Sequence, residues 1–231
     1  MVCNPEAMAE LPQKLRESAQ FFSVNGISAE DLSRFRPSQP KGGPFRILSA
    51  GKLIPLKGFE LAIKAFAEFA RSHPEATFTI VGDGPGYQHL MEVVRQSQVE
   101  GKVNFEGWRP REDVLQLMTD SDIFLFAGLR DGGGQVIVEA MSVGKPVVCL
   151  DIGGPSIHVT ADTGIKVAAT SPEASVKDLA SALERLHSDS ELRQEMGKAA
   201  RARVEEIYHW DRAGERISDI YLRVTLAKRY D

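Results

Sequence analysis

The sequence predicts an α/β fold, a parallel β-sheet flanked by helices and followed by a helical C-terminal segment. Short apolar runs rich in β-branched and aromatic residues alternate with longer segments of helical periodicity, as in βαβ units. The strand-like runs lack polar residues at every second position, which is typical of strands buried on both faces. Glycines and polar residues gather directly after these runs, where the carboxyl edge of a parallel sheet would lie.

The elements follow one another regularly along the chain. After the first strand, Phe59, Ile63 and Phe66 have the spacing of one helical face. Pro110 begins a later helix, because proline suits a first helical turn, and Gly144 ends another as a typical C-cap residue. The predicted strands are 45–50, 77–81, 102–107, 122–127, 146–150 and 164–168. The predicted helices are 56–71, 87–98, one from residue 110, 135–143, 176–187, 191–206 and 211–228.

The chain divides at a segment rich in proline and glycine. This segment, RPSQPKGGP at residues 36–44, has the composition of a linker. It separates residues 1–35 from a main domain predicted at 45–231, which includes the C-terminal helices.

Composition excludes several classes of protein. The 231-residue chain has a formal net charge of −4, which gives no general attraction to nucleic acid or acidic membranes. No apolar run approaches the roughly 20 residues needed to span a bilayer, and the first residues do not resemble a signal peptide. The two cysteines, Cys3 and Cys149, are far apart, and Cys149 lies in an apolar run as a small core residue. Scattered cysteines favour a reducing, cytoplasmic setting.

Five polar, glycine-containing loops follow the first five strands. Each loop alone is explained equally well by the need for glycine in turns. Five of them on one edge of a parallel sheet instead indicate a ligand site there. The loops are GKLIPLKG (51–58), GDGPG (82–86), GWRPRED (107–113), GLRDGGG (128–134) and DIGGPS (151–156).

The loop GLRDGGG indicates a phosphate site. Its three glycines lead directly into a helix, whose first N–H groups and positive dipole end attract an anion. Lys52 and Lys57, in the loop after the first strand, could supply cations to the same anion. A purely structural role for each lysine is about as plausible.

Two carboxylates flank the glycines. Glu139 lies in the following helix between apolar residues, and its two oxygens could accept hydrogen bonds from a vicinal diol such as ribose. Asp131, before the glycines, could do the same for a second polyol. A phosphate between two polyols describes a sugar nucleotide. The alternative for Glu139 is an ordinary exposed helix residue.

These motifs resemble the C-terminal domain of family 4 glycosyltransferases, which have the GT-B fold of two facing Rossmann-like domains. DGGGQVIVEAMSVGKPVV is similar to the family's E-G-F-G-x4-E-A-M-A-x-G-x-P-V-V, and SAGKLIPLKGF to its G-R-L-x3-K-G-F. IVGDGP, FEGWRPREDV, SDIFLF, the glycine pair at 153–154 and YHWDRAGERI follow in the family's order. The resemblance covers about residues 20–225 and implies a Rossmann-like domain, the C-terminal half of a GT-B fold.

The resemblance implies a role for each matching residue. Glu139 would bind the ribose diol and Asp131 the donor sugar, while Lys52 and Lys57 would contact the diphosphate. Trp108 and Arg109 would border the nucleobase. Further candidates for contact with the donor are Gly51, Gly82, Gly133, Gly134 and Gln135. Asp131 stands where the family has glutamate, Lys52 where it usually has arginine and Gly133 where it has phenylalanine, so the identity of the donor stays open.

The implied activity is retaining, metal-independent hexosyl transfer from a UDP- or GDP-sugar, in polysaccharide or glycolipid biosynthesis. No cofactor is expected, and the five scattered histidines predict no metal site. The resemblance further implies that residues 1–20 are the last helix of an N-terminal acceptor domain and that 21–37 form a crossover strand and loop. The isolated chain is then expected to be inactive. The expected location is the cytoplasm, or the inner face of the membrane through the full-length enzyme.

Other functions fit parts of the sequence. The chain could be a non-catalytic sugar-nucleotide-binding module, or one half of a two-chain transferase whose partner supplies the acceptor domain. GDGPG (82–86) also suggests a dinucleotide-dependent oxidoreductase, but its glycine spacing is wrong for that fingerprint. A sugar-nucleotide epimerase is a further alternative. His158 follows the loop at 151–156 and could approach the donor, although a capping or surface histidine is the more ordinary interpretation.

Overall fold

A central six-stranded parallel sheet organises the protein. The structure, a computed structural model, describes residues 11–16, 25–37, 42–131 and 133–227. All six predicted strands are present, each within two residues of its expected bounds. The strands are β1 (Arg46–Ala50), β2 (Thr77–Val81), β3 (Val103–Gly107), β4 (Ile123–Phe126), β5 (Val147–Leu150) and β6 (Gly164–Val167).

The strand order is β3-β2-β1-β4-β5-β6, and every pair is parallel. This is the order of a doubly wound, Rossmann-like sheet, so the predicted fold class is confirmed. The chain builds outward from β1 to β3 and then returns to the other side of β1 for β4. The direction of winding therefore reverses between β1 and β4, and a crevice is expected between the loops that follow these two strands.

Helices connect the strands and cover both faces of the sheet. No helix within the described ranges is both long and apolar enough to cross a bilayer. The helices are α1 (Gln13–Arg16), α2 (Ala29–Arg34), α3 (Phe59–Ala70), α4 (Tyr87–Gln96), α5 (Arg111–Asp120), α6 (Gln135–Ser142), α7 (Gly153–His158), α8 (Pro172–Ser188), α9 (Ser190–Arg203) and α10 (Trp210–Ala227).

The strands are buried on both faces, as their apolar composition predicts. Along β4, Ile123 and Leu125 pack against the helices of one face, while Phe124 and Phe126 pack against those of the other. Cys149 in β5 is fully buried, and burial raises the pKa of its thiol to about 12, which confirms a small core residue. The two cores fix the strands and hold the loops at the carboxyl edge in place.

Two elements of the main domain differ from the prediction. Residues 151–156 were expected to be a loop, but α7 begins within them at Gly153. The two glycines and Pro155 read as turn residues, although proline is compatible with a first helical turn. The helix predicted at 191–206 ends at Arg203 and continues as a π-helical turn over Val204–Tyr208. A π-turn changes the hydrogen-bond pattern without a corresponding sequence signal.

The segment before the main domain is partly helical. The predicted crossover strand and loop at 21–37 contains α2 instead, and Ile27 forms one parallel bridge to His209. Ser28 caps α2 by accepting a hydrogen bond from the N–H of Asp31 at 3.1 Å. Residues 21–24 lie outside the described residues, as do most of residues 1–20, for which a helix was expected.

Arg201 fixes this segment to the domain. Its guanidinium donates hydrogen bonds to the carbonyl oxygens of Leu32 (2.6 Å), Phe35 (3.0 Å) and Ser142. One side chain thus joins α2, α6 and α9. Asn25, at the beginning of the same segment, contacts Gly133 just before α6.

Candidate functional site

The loops after β1 and β4 meet at the crevice where the winding of the sheet reverses. Lys52 and Lys57 belong to the first loop and Asp131 to the second. The loops approach closely at Gly58, whose φ is +67° and where a Cβ atom would collide with the carbonyl oxygen of Ala127. Only glycine satisfies both requirements at this position.

Asp131 lies at the N-terminus of α6. Its Oδ1 accepts hydrogen bonds from the N–H groups of Gly133 (3.1 Å) and Gly134 (2.8 Å), and its Oδ2 forms an ion pair with Lys57. Burial acts to raise the pKa of Asp131, but the bonds from Lys57 and the two N–H groups outweigh it and leave the pKa below its ordinary value. The helix start therefore already holds an anion, the carboxylate of Asp131.

His158 contacts the backbone of the glycine loop that precedes α6. Its Nε2 lies 2.7 Å from the carbonyl oxygen of Gly133 and its Nδ1 lies 2.7 Å from the hydroxyl of Tyr208. The side-chain amide of Asn25 donates to the same carbonyl and lies 3.1 Å from Nε2. His158 is only 2% exposed, so it is not a surface histidine. The reason is that Tyr208, 50 residues further along, covers it.

Glu139 is held by Arg111, the first residue of α5. Arg111 Nε donates to Glu139 Oε1 at 2.7 Å, and Nη1 donates to Asp31 Oδ2 at 3.0 Å. Gln135 Nε2 lies 3.5 Å from the same Glu139 oxygen. The Glu139 side chain is 13% exposed, so it is not an ordinary solvated helix residue. A diol that approached Glu139 would share its carboxylate with Arg111.

A cavity of about 590 Å³ opens beside Glu139. This volume lies within the usual range of small-molecule sites, roughly 300–1,000 Å³. Of the site residues predicted from the sequence, those that line this cavity are Gly51, Lys52, Gly82, Trp108, Arg109 and Glu139. Trp108 is 73% exposed and offers a flat apolar ring, and Arg109 pairs with Glu106 at 2.7 Å. A larger groove of about 830 Å³ lies among α3, α4 and α8, away from these loops.

The predicted site residues form two adjacent sets. One lines the cavity, and the other surrounds the start of α6, with Lys57, Asp131, Gly133, Gly134 and Gln135. Gln135 connects the sets through its contact with Glu139. The exposed Lys52 lines the cavity, whereas Lys57 is paired with Asp131, so the two lysines do not converge on one group here. Gly132 lies outside the described residues.

Sequence reasoning missed the residues that support this site from a distance. Arg111 was visible only as one charge in GWRPRED, and no spacing rule connects it with Glu139, 28 residues later. Asn25 and Asp31 come from the segment that was expected to be a crossover strand and loop. The capping pattern at Ser28, with acidic residues in the next turn, could have revealed α2 and with it Asp31.

Comparison with known proteins gives the family. Residues 32–203 match the family model of group 1 glycosyl transferases. The chain belongs to this family. The match includes both sets of site residues and all six strands.

Relatives of this group 1 glycosyl transferase chain have several named activities. It is 29% identical over 206 residues to a glycogen synthase from Mycobacterium tuberculosis, covering 89% of this chain and 49% of that protein. It is 30% identical over 212 residues to a GDP-mannose-dependent monoacylated alpha-(1-6)-phosphatidylinositol monomannoside mannosyltransferase from Corynebacterium glutamicum, covering 84% and 54%. The chain spans about half the length of the curated relatives it matches.

Solved structures support the fold of the group 1 glycosyl transferase chain. A sucrose-phosphate synthase from Thermosynechococcus elongatus superposes with a TM-score of 0.79 at 23% identity, over 98% of this chain and 58% of that one. Anabaena HepE in complex with UDP and glucose gives 0.76 at 22% identity, over 95% and 61%. The C-terminal domain of a group 1 family protein from Francisella tularensis gives 0.68 at 22% identity, over 80% and 99%. The predicted Rossmann-like half of a GT-B fold is thereby confirmed.

Proposed function

We propose that the crevice binds a nucleoside-diphosphate sugar and that the chain is the donor-binding part of a retaining hexosyltransferase of family 4. One observation carries the proposal. The cavity beside Glu139 adjoins the start of α6, where Lys57 and two backbone N–H groups surround one carboxylate. An anion-binding helix start next to a diol-binding carboxylate suits a phosphate attached to a ribose.

The diphosphate would take over contacts that Asp131 makes here. Its negative oxygens would accept hydrogen bonds from the N–H groups of Gly133 and Gly134, and Lys52 is exposed on the same side of the crevice. Asp131 would then turn toward the hydroxyl groups of the donor sugar. The cations and the helix dipole would stabilise the charge that develops on the leaving diphosphate, which is the basis for proposing metal-independent transfer.

The nucleoside would occupy the cavity. Glu139 would accept hydrogen bonds from the ribose diol, and Trp108 and Arg109 would border the base. HepE, a neighbour in fold, is described in complex with UDP and with UDP-glucose, which supports a nucleotide sugar as the ligand class. The choice between UDP and GDP donors depends on contacts to the base. Trp108 would offer either base only the face of its exposed ring, which does not distinguish them.

The acceptor would be held by another domain or by a partner chain. Support comes from the relatives, of whose length this chain spans about half. The 231-residue chain alone would then bind donor without transferring sugar to an acceptor. The same observation favours the second candidate, a sugar-nucleotide-binding module or one half of a two-chain transferase. We place the activity in the cytoplasm or on the inner membrane face, in polysaccharide or glycolipid synthesis.

Calorimetric titration with UDP, GDP and NAD, each with and without EDTA, tests the proposal. We expect saturable binding of UDP or GDP that EDTA does not weaken, and no binding of NAD. Binding of NAD alone would favour the oxidoreductase and overturn the proposal. Incubation with labelled UDP- or GDP-sugars and a panel of acceptors should give no transfer product, and efficient transfer by this chain would contradict the need for a second domain.

A further inference from the structure

A second group of chemically capable side chains lies at the opposite edge of the sheet. His73 and Glu75 belong to the loop between α3 and β2, and Glu184 and His187 belong to the last turns of α8. One ligand atom each from His73, Glu75 and His187 lies within 4.8 Å of the others. The first pair is more than 100 positions from the second in the sequence, which gave no reason to expect them together.

The two imidazole rings are held in place by their neighbours. Their centroids are 3.9 Å apart, and the ring of His73 packs 4.5 Å from that of Phe69. His187 makes an edge contact with Phe45 at 5.1 Å. Glu184 Oε2 lies 2.6 Å from His73 Nε2 and orients the ring from outside. A carboxylate that orients a histidine in this way is the usual support of a metal-bound imidazole.

The charges around the cluster favour a cation. Two carboxylates, Glu75 and Glu184, face the pair. Both α3 and α8 end at this edge, and helix C-termini attract positive charge, although Arg193 already bonds the carbonyl of His187 at 3.3 Å.

We propose that this cluster binds one divalent transition-metal ion of the zinc class, with His73, Glu75 and His187 as ligands. Two imidazoles and one carboxylate form a common ligand set for zinc, and water could complete the four-coordinate shell. With Nε2 bonded to Glu184, His73 would ligate through Nδ1. Tetrahedral coordination brings ligand atoms to roughly 3.4 Å from one another. Glu75 is exposed, so its side chain has room to turn toward an ion.

The ion would join two elements and strengthen the fold. The loop before β2 and the end of α8 are distant in sequence, so a shared ion would restrain both only in the folded state. The site lies at the amino ends of the strands, across the sheet from the crevice. It therefore goes beyond the proposed donor site and needs no part in sugar transfer.

Zinc titration of the whole chain tests the proposal. We would measure competition with a chromophoric chelator, thermal unfolding with and without zinc, and the visible spectrum of the cobalt(II) form. We expect one ion per chain, a zinc-dependent rise in Tm and the absorption of four-coordinate cobalt. Glu75→Gln and His187→Gln should each weaken binding by at least about tenfold.

Two substitutions make the test selective. Glu75 is exposed, so Glu75→Gln removes a ligand without disturbing the aromatic packing around the histidines. Glu173→Gln, at the other end of α8, makes the same change in charge and should bind zinc like the parent. The absence of saturable binding in the parent overturns the proposal. Unchanged affinity in both Glu75→Gln and His187→Gln overturns it equally.

Discussion

At the scale of single residues, the site is a set of charges that already satisfy one another. Asp131 forms an ion pair with Lys57 and accepts hydrogen bonds from the N–H groups of Gly133 and Gly134 at the start of α6. Glu139 forms an ion pair with Arg111. A ligand must therefore replace these contacts rather than fill unpaired positions. Replacement costs little where a charged ligand offers equivalent bonds, because charge-assisted hydrogen bonds are exchanged for others of the same kind.

Glu139→Gln tests the role of this carboxylate in binding. The amide keeps the shape of the side chain but loses the charge-assisted bonds to a diol. We expect nucleotide binding to weaken by about 1–3 kcal/mol, roughly 5- to 150-fold in Kd, by calorimetry. Glu112→Gln is the matched control, since it makes the same change at an exposed position of α5 outside the cavity lining, and it should bind nucleotide as well as the parent. Normal affinity combined with lower stability in Glu139→Gln would assign Glu139 a structural role.

The buried His158 predicts a loss of stability in mild acid. Burial lowers its pKa in the folded protein, and the cation of Arg203 adds to the effect, while the Gly133 carbonyl and Asp131 oppose it. The unfolded chain, with an ordinary pKa of about 6.5, binds a proton that the folded chain resists. The contribution of neutral His158 to the free energy of unfolding should therefore be complete above about pH 6.5. It should decrease as the pH is lowered through 6 and 5.

Urea denaturation between pH 7 and pH 5 checks this prediction. Burial also lowers the pKa of His187, so His158→Gln should make the pH dependence shallower without abolishing it. An equal slope in His158→Gln and the parent would show that this ring does not resist protonation.

Residues of the site were predictable where one loop carries the chemistry. Glycines before a helix, lysines after a strand and a carboxylate in an apolar helix each have a local physical meaning, and the structure brings them to one crevice. The contact of Arg111 with Glu139 and the burial of His158 could not be predicted in the same way, because each depends on a partner 28 or 50 residues away.

At the scale of elements, a short helix decides how the preceding segment attaches. The carbonyl oxygens of Leu32, Phe35 and Ser142 all accept hydrogen bonds from Arg201, which connects α2 to α6 and α9. Backbone acceptors that lose their donor in a partly buried place cannot be satisfied fully by water. The attachment of residues 25–37 therefore depends strongly on one side chain.

Arg201→Met should lower the free energy of unfolding by about 1–3 kcal/mol, the cost of leaving buried acceptors without a donor. Methionine keeps the aliphatic part of the side chain and removes only the guanidinium. The control is Glu205→Gln, which breaks the exposed ion pair between Arg201 and Glu205 but leaves the three carbonyl bonds. It should change stability by less than about 0.5 kcal/mol in the same denaturation experiment. Equal effects of the two substitutions would contradict this account.

Elements were predicted well where periodicity is strong and poorly where turn residues intervene. The strand at 77–81 was predicted with the bounds that the structure has, because β-branched and aromatic residues end there at Gly82. α7 was missed because its first residues are glycine, glycine and proline. The π-helical turn at Val204–Tyr208 was missed because it interrupts a helix without interrupting the helical composition.

At the scale of the whole molecule, the two edges of the sheet carry different groups of side chains. The carboxyl edge gathers glycines, lysines and carboxylates around a crevice, whereas the amino edge brings His73 and His187 together. The fold class was predictable because alternating buried strands and helices allow few other arrangements. The juxtaposition at the amino edge was not, because it depends on how α3 and α8 pack against each other.

The exposed apolar residues of the last helix, α10, lead us to expect weak self-association. Its sequence places apolar residues near one face, and the structure confirms that part of that face is exposed. Trp210 is 50% exposed and Tyr221 is 66% exposed. Large apolar side chains that lie together on a surface usually contact a partner. We expect the weight-average molar mass measured by light scattering to rise with protein concentration. Tyr221→Glu should shift the chain toward monomer, whereas Ser218→Glu, which adds the same charge on the same helix, should not. A molar mass that stays at 25.4 kDa at every concentration would show that this face does not pair between copies of the chain.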